Sequence, residues 1–189
     1  MTPDQSVTVK GSPVRSLQTF VERDLTAEQR AAAFRNLPPE YATRLQTPIP
    51  ATETIPVHML NRLTEEAARA KGEPLEDFAR RAGRNGAADA IHGIYRFFAL
   101  VLTPAAVLSK AGHMWTSLYN RGQLRVEDET STSARLVLHD FPSERACCSR
   151  VTGWMERMAE MTGVTVEQIE HTKCFARSGQ NCEWEIRWK

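Results

Sequence analysis

The apolar positions of the chain keep a helical period through the first two thirds and then switch to a period of two, and this switch predicts the order of elements. Val7, Val9 and Val14 suggest a short strand and Leu17, Phe20 and Val21 a helical turn, so residues 1–24 are expected to be partly irregular. From Leu25 to Leu37, Thr26 can cap a helix, Ala31, Ala32 and Ala33 favour it, and Pro38-Pro39 ends it. Residues 41–56, with prolines at 48, 50 and 56, read as an extended surface connector. Val57, Leu60, Leu63 and Ala67 recur at helical spacing until Gly72. Pro74 opens a helix over Leu75 to Arg81, which Gly83 to Gly86 is expected to interrupt. Ala88, Ile91, Ile94, Tyr95, Phe98, Ala99 and Leu102 then form a broad apolar stripe, and Val107, Leu108, Ala111, Trp115 and Leu118 another helix after Pro104.

Beyond Asn120-Arg121-Gly122 the alternation is two-fold. Leu124 and Val126, then Ala134, Leu136 and Leu138, predict a hairpin turned by Glu129 to Thr132. Ser143 can cap a following helix that turns Val151, Trp154, Met155, Met158 and Met161 inward. A last hairpin pairs Ile169 to Ala176 with Cys182, Trp184, Ile186 and Trp188, which alternate with charged residues. This predicts an α+β fold, a four-stranded antiparallel sheet packed with helices and a helix-rich N-terminal half. After the 1–24 segment, residues 25–189 form a single domain, in which 145–189 is the helix and hairpin that carry the cysteines.

All four cysteines lie in that last unit. The turn midpoint at position 178 sets Cys174 opposite Cys182, with Cβ atoms about 5 Å apart. His171 has the opposite parity to Cys174, so a β-bulge near Thr172-Lys173 is needed to bring both to one face. Three sulfurs and an imidazole suit a tetrahedral zinc ion, the fourth ligand coming from Cys147 or Cys148. A cross-strand disulfide is the rival reading. The chain opens Met1-Thr2-Pro3-Asp4-Gln5 without a basic and apolar leader, which points to a reducing cytoplasm and against the disulfide.

Composition narrows the functional classes. The 24 Lys+Arg and 23 Asp+Glu of the 189 residues leave a formal charge of +1, so no field favours a phosphate backbone and direct nucleic-acid binding is not expected. The apolar run from Phe97 to Leu102 is far below the roughly 20 residues that span a bilayer. Phosphate loops, a serine nucleophile elbow and a His-Glu metal pair are missing from the sequence, and an enzyme is not expected.

The set Cys148, Gly153, His171, Cys174, Gly179 and Cys182 resembles the vinyl-reductase-type small-molecule-binding domain of aromatic-compound-responsive activators. The resemblance implies a structural zinc held by Cys148, His171, Cys174 and Cys182, with His171 standing where that family has glutamate. Over its whole length the chain looks closer still to a myxobacterial paralogous family without an established role. The implied superfamily includes haem nitric-oxide-binding domains and tethering-particle (TRAPP-like) subunits. A haem reading would use a helical histidine, His92 or His113, and a Tyr-x-Ser-x-Arg triad. Tyr119-Asn120-Arg121-Gly122-Gln123 lacks that triad, so haem is not expected.

The reading is therefore a cytoplasmic, non-enzymatic sensor. Trp115, Tyr119, Trp154, Met155 and Met158 are expected to wall an apolar pocket for a small hydrophobic or aromatic ligand, and signalling requires a partner protein. The alternative is a filled core in a homodimerising scaffold.

Overall fold

The computed structural model describes residues 6–91, 104–161, 165–177 and 179–189. Strand β1 (Thr8–Lys10) runs directly into helix α1 (Gly11–Asp24), followed by α2 (Ala27–Arg35), α3 (Pro39–Leu45), β2 (Thr54–Pro56), α4 (Val57–Lys71) and α5 (Leu75–Ile91). After residues 92–103 come α6 (Pro104–Leu118), β3 (Gln123–Glu127), β4 (Ser133–His139), α7 (Arg145–Met161), β5 (Val166–Lys173) and β6 (Cys182–Trp188). The α+β expectation holds. β1 and β2 make a small antiparallel pair, and the main antiparallel sheet has the order β3-β4-β6-β5. The two predicted hairpins are joined by β4–β6 pairing, with Leu136 opposite Trp184 and Leu138 opposite Cys182.

Local chemistry explains most boundaries. Thr26 and Gln29 form a reciprocal capping box at the start of α2, Thr26 Oγ1 accepting from Gln29 N at 3.2 Å and Gln29 Oε1 accepting from Thr26 N at 2.9 Å. Gly72 ends α4 in the left-handed region, φ 74°, where a side chain would be strained. The connector prediction for residues 41–56 is corrected in part. Pro39 opens α3 instead of only closing α2, because the first helical position needs no N–H donor.

Helix α5 also runs unbroken through Gly83 and Gly86, contrary to expectation. The reason is tertiary. A Cβ on Gly83 would stand 2.0 Å from the Arg150 carbonyl oxygen, and one on Gly153 would stand 1.9 Å from that of Arg80. The two glycines let α5 and α7 cross backbone to backbone. Arg80–Glu156 and Arg84–Glu160 pairs, the latter at 2.7 Å, flank the crossing. On the other side, Asp24 ties α1 to α4 and α5 through Lys71 at 2.7 Å and Arg81 at 2.8 Å. Arg81 also pairs with Glu73 and lies over the rings of Phe20 and Phe78.

The core lies where α1, α4, α5 and α7 meet the inner face of the sheet. Val9, Leu60, Leu63, Phe78, Leu136, Leu138 and Trp184 are fully buried there. The first 24 residues contribute β1 and α1 to this core. Val9 bridges to Tyr119, and Asn120 bonds Ser6 O and Thr8 N, so the N-terminal segment is anchored at the passage from helix to sheet. The predicted stripe from Ala88 to Leu102 falls mostly outside the described residues. Among the described residues no helix is long and apolar enough to cross a membrane.

Candidate functional site

The cysteine and histidine cluster is assembled by an irregularity in β5. His171 lies opposite Trp184 and Lys173 opposite Glu183, so the chain slips register between them, at the position where a bulge was expected. The slip leaves His171 on the inner face, stacked on the Trp184 ring at 4.7 Å and 16°. Cys174 then leads a short 3₁₀ turn, Phe175–Arg177, and its carbonyl accepts from the N–H groups of Arg177 and Gly179, both at 3.0 Å. Gly179 is required by close approach, because a Cβ there would meet the Cys174 carbonyl oxygen at 2.6 Å.

Cys148 enters from the first turns of α7. Its sulfur is 3.4 Å from that of Cys182 and 3.8 Å from that of Cys174. The ligating atoms of Cys148, His171, Cys174 and Cys182 all lie within 4.8 Å of one another. A disulfide needs sulfurs about 2.05 Å apart, so the cysteines are free thiols. Metal–thiolate bonds of about 2.3 Å in a tetrahedral set place two sulfurs about 3.8 Å apart, which is close to the spacing here. The Nε2 of His171 is buried and has no hydrogen-bond partner in the structure. Cys147, the rival for the fourth position, is outside the cluster, and burial pushes its thiol up to about 12.

Cys182 and Cys148 share their proton as a close, buried pair. Cys148 lies 3.4 Å from the Cys182 sulfur and the backbone N–H of Phe175 donates to it at 3.3 Å, and these contacts hold the Cys182 thiol below its ordinary range. Donation and burial push Cys148 upward in turn. Ser143 is not the expected helix cap: α7 starts at Arg145, and the buried Ser143 hydroxyl has no hydrogen-bond partner.

The five residues expected around a pocket are divided between two packing groups. Trp115 and Tyr119 stack at 4.2 Å and both meet the Phe141 ring edge-on, while Trp115 Nε1 donates to Arg121 O at 3.0 Å. Met155 belongs to the main core, and Met158 packs with Ala87 beside Met114, Met161 and Trp154. Residues that sequence reasoning missed are Arg150, Asn61 and Thr64, which form a buried polar group between α7 and α4. Helical spacing on Asn61 and Thr64 was a usable signal, but Arg150 reads as an ordinary surface cation.

No family model matches the chain, and no curated protein matches it. Solved structures do. An Fe(II) unliganded H-NOX protein mutant from K. algicida superposes with a TM-score of 0.74 at 15% identity, covering 95% of this chain and 96% of that one. An H-NOX protein from S. oneidensis in the Fe(II)NO state gives 0.72 at 14%, covering 95% and 99%. An oxygen-binding H-NOX domain related to soluble guanylate cyclases gives 0.70 at 13%, covering 95% of each.

These findings correct two expectations. The resemblance to the vinyl-reductase-type domain and to the myxobacterial paralogous family is not supported, since the neighbours over the whole chain are haem-nitric-oxide-binding domains. The motif shared with the vinyl-reductase-type domain is confined to the last quarter of the chain, whereas the H-NOX likeness spans 95% of it. Zinc as the chain's cofactor is withdrawn as well, because the neighbours named above are iron proteins.

Haem, not expected from the sequence because Tyr119-Asn120-Arg121-Gly122-Gln123 lacks the Tyr-x-Ser-x-Arg triad, is reopened by these neighbours, and whether this chain can hold it turns on its donors. Of its five histidines, His58 bonds Glu144 at 3.3 Å, His139 bonds Glu127 at 3.3 Å, His171 sits in the cysteine cluster and His113 is on an exposed face of α6. An imidazole for iron would therefore come from His92, which lies outside the described residues. At identities of 13–15% what is shared is the fold, and in fold this chain is like the H-NOX domains from end to end.

Proposed function

We propose that the chain is a non-catalytic sensor domain that binds a small gaseous or diatomic ligand through haem and signals to a partner protein. The observation that carries this reading is the H-NOX-like architecture, matched over 95% of both this chain and the oxygen-binding neighbour. The disposition of histidines is consistent with it: His58, His139 and His171 have partners, His113 is exposed, and His92 remains as the donor that would hold iron. Haem, when bound, supplies an iron atom with a coordination position open to small ligands. His92 would hold the iron, and the apolar helices and sheet would keep water away. The test is titration of the full chain with hemin. A Soret band saturating at one equivalent, and lost or displaced in His92→Ala, is expected, whereas unsaturable binding that ignores the substitution refutes the reading.

A second site is proposed on a separate observation, the convergence of Cys148, His171, Cys174 and Cys182 with an unpartnered imidazole nitrogen. Three thiolates and an imidazole form a donor set for a thiophilic cation. Such an ion would pin α7 to the terminal hairpin. Elemental analysis of the purified chain tests it: about one metal per chain beyond the haem iron is expected, and a metal-free, fully stable protein refutes it.

A further inference from the structure

His171 stands on β5, the outermost strand of the main sheet, and is only half-buried, yet its ring reaches the cysteine cluster and its buried Nε2 has no hydrogen-bond partner. A ligating imidazole is usually oriented by a hydrogen bond from its far ring nitrogen to a carboxylate or a backbone carbonyl. Among the described residues His171 makes no such bond. An aromatic ring takes that place.

Trp184 lies directly across from His171 in the β5–β6 register and is wholly buried. Its indole covers one face of the imidazole, with 4.7 Å between ring centres and 16° between planes. The indole is itself fixed. Its Nε1 donates to Thr152 Oγ1 at 2.8 Å, and the Thr152 hydroxyl donates to the Cys148 carbonyl at 3.1 Å. The path from imidazole through indole and hydroxyl thus ends on the backbone of the residue whose sulfur is 3.4 Å from that of Cys182. Helix α7 sets the position of both the Cys148 sulfur and, through Thr152, the ring that backs His171.

We propose that Trp184, anchored by Thr152, is a positioning residue for the cation site: its stack on His171 keeps the imidazole turned toward the three sulfurs instead of out to water. The inference rests on the cation reading above and adds to the ligands the residue that makes the histidine competent. An imidazole on an edge strand has solvent-facing rotamers open to it, and leaving the cluster would cost it the stack. A metal-bound imidazole also carries part of the charge of the ion, and an indole face is the best aromatic partner for positive charge. The stack therefore favours the loaded site over the empty one.

The test titrates cobalt(II) into the full chain, freed of metal and kept reduced, and follows the visible absorbance of a tetrahedral thiolate and imidazole site. Trp184→Leu removes the ring face and is expected to weaken cobalt binding at least about tenfold, the usual effect of removing a group that orients a metal ligand. Trp184→Phe restores a face and is expected to recover most of that loss. Trp188→Leu makes the same truncation at another buried tryptophan of β6, and it should lower Tm while leaving cobalt affinity unchanged. Unchanged affinity in Trp184→Leu, or equal losses in Trp184→Leu and Trp188→Leu, overturns the proposal. If Trp184→Leu does not fold, Thr152→Val decides: it removes only the anchor of the indole and should weaken binding, and an unchanged affinity overturns the proposal. Failure of the site reads differently. An unmodified chain without tetrahedral cobalt bands removes the cation reading and this inference together, whereas bands at one equivalent that ignore Trp184 and Thr152 remove this inference alone.

Discussion

Alanine at Gly153 places a methyl group against the backbone of the neighbouring helix, where no rotamer change can make room. The Cβ would stand 1.9 Å from the Arg80 carbonyl oxygen and 2.7 Å from its carbon. Restoring an ordinary separation of about 3.5 Å requires α5 and α7 to part by about 1.5 Å along their crossing. Overpacking of this kind costs about 1–3 kcal/mol, and a contact with main chain belongs at the upper end. Alanine recovers about 1 kcal/mol of helix propensity, so the net loss is about 2 kcal/mol. For a chain of this size that lowers Tm by about 4–8 °C. Gly83→Ala, facing the Arg150 carbonyl oxygen at 2.0 Å, should behave alike. Gly86→Ala is the internal control. It lies on the same helix α5, and its nearest atom is Ser16 Oγ at 3.8 Å, so it should be neutral or stabilising by up to about 1 kcal/mol. Thermal and urea unfolding of the three variants decide the matter. If Gly153→Ala is as stable as Gly86→Ala, the close crossing of the two helices is wrong.

Three further outcomes are expected. Asp24, with Arg81 and Lys71 beside it, has its carboxyl lowered to about 2 from 3.8, so its contribution is fully present above about pH 4 and is lost as pH falls through 2. Asp24→Asn should therefore be about 1–2 kcal/mol less stable at pH 7, with the gap closing between pH 4 and pH 2 in urea titrations; a gap that ignores pH counts against the ion-pair assignment. Cys148→Ser should lose the bound cation in elemental analysis while Cys147→Ala retains it, and the reverse result would reassign the fourth ligand. Thr26→Ala removes the capping box of α2 and should cost about 1 kcal/mol by denaturant unfolding, with no change in bound metal or haem.

What could be read from the sequence was what is encoded locally. The two hairpins follow from a period of two in Leu124 to Leu138 and Cys182 to Trp188, and the slip between His171 and Lys173 follows from parity alone. Gly72 and Thr26 are legible because a cap is decided within one turn of helix. Gly83 and Gly86 misled because their purpose, at least for Gly83, is contact with a helix some seventy residues away. Pro39 misled for a different reason, since proline ends one helix and opens another by the same restriction on φ. The approach of Cys174 to Cys182 was legible from the turn between them, whereas the choice of Cys148 over Cys147 was not, because it depends on how α7 packs on the hairpin. The buried group around Arg150 was not, because nothing in the spacing of an arginine says whether its head reaches water. The H-NOX-like architecture was not legible for the same reason: a fold shared at 13–15% identity leaves few local marks, while the cysteine motif is short and local.

The most direct test of the sensor reading is the absorbance of the hemin-loaded, reduced chain before and after addition of nitric oxide. The account predicts a Soret band at one haem per chain that shifts on addition of the gas, in the unmodified protein and not in His92→Ala. A chain that takes up no stoichiometric haem, or holds haem that nitric oxide leaves unchanged, would contradict it.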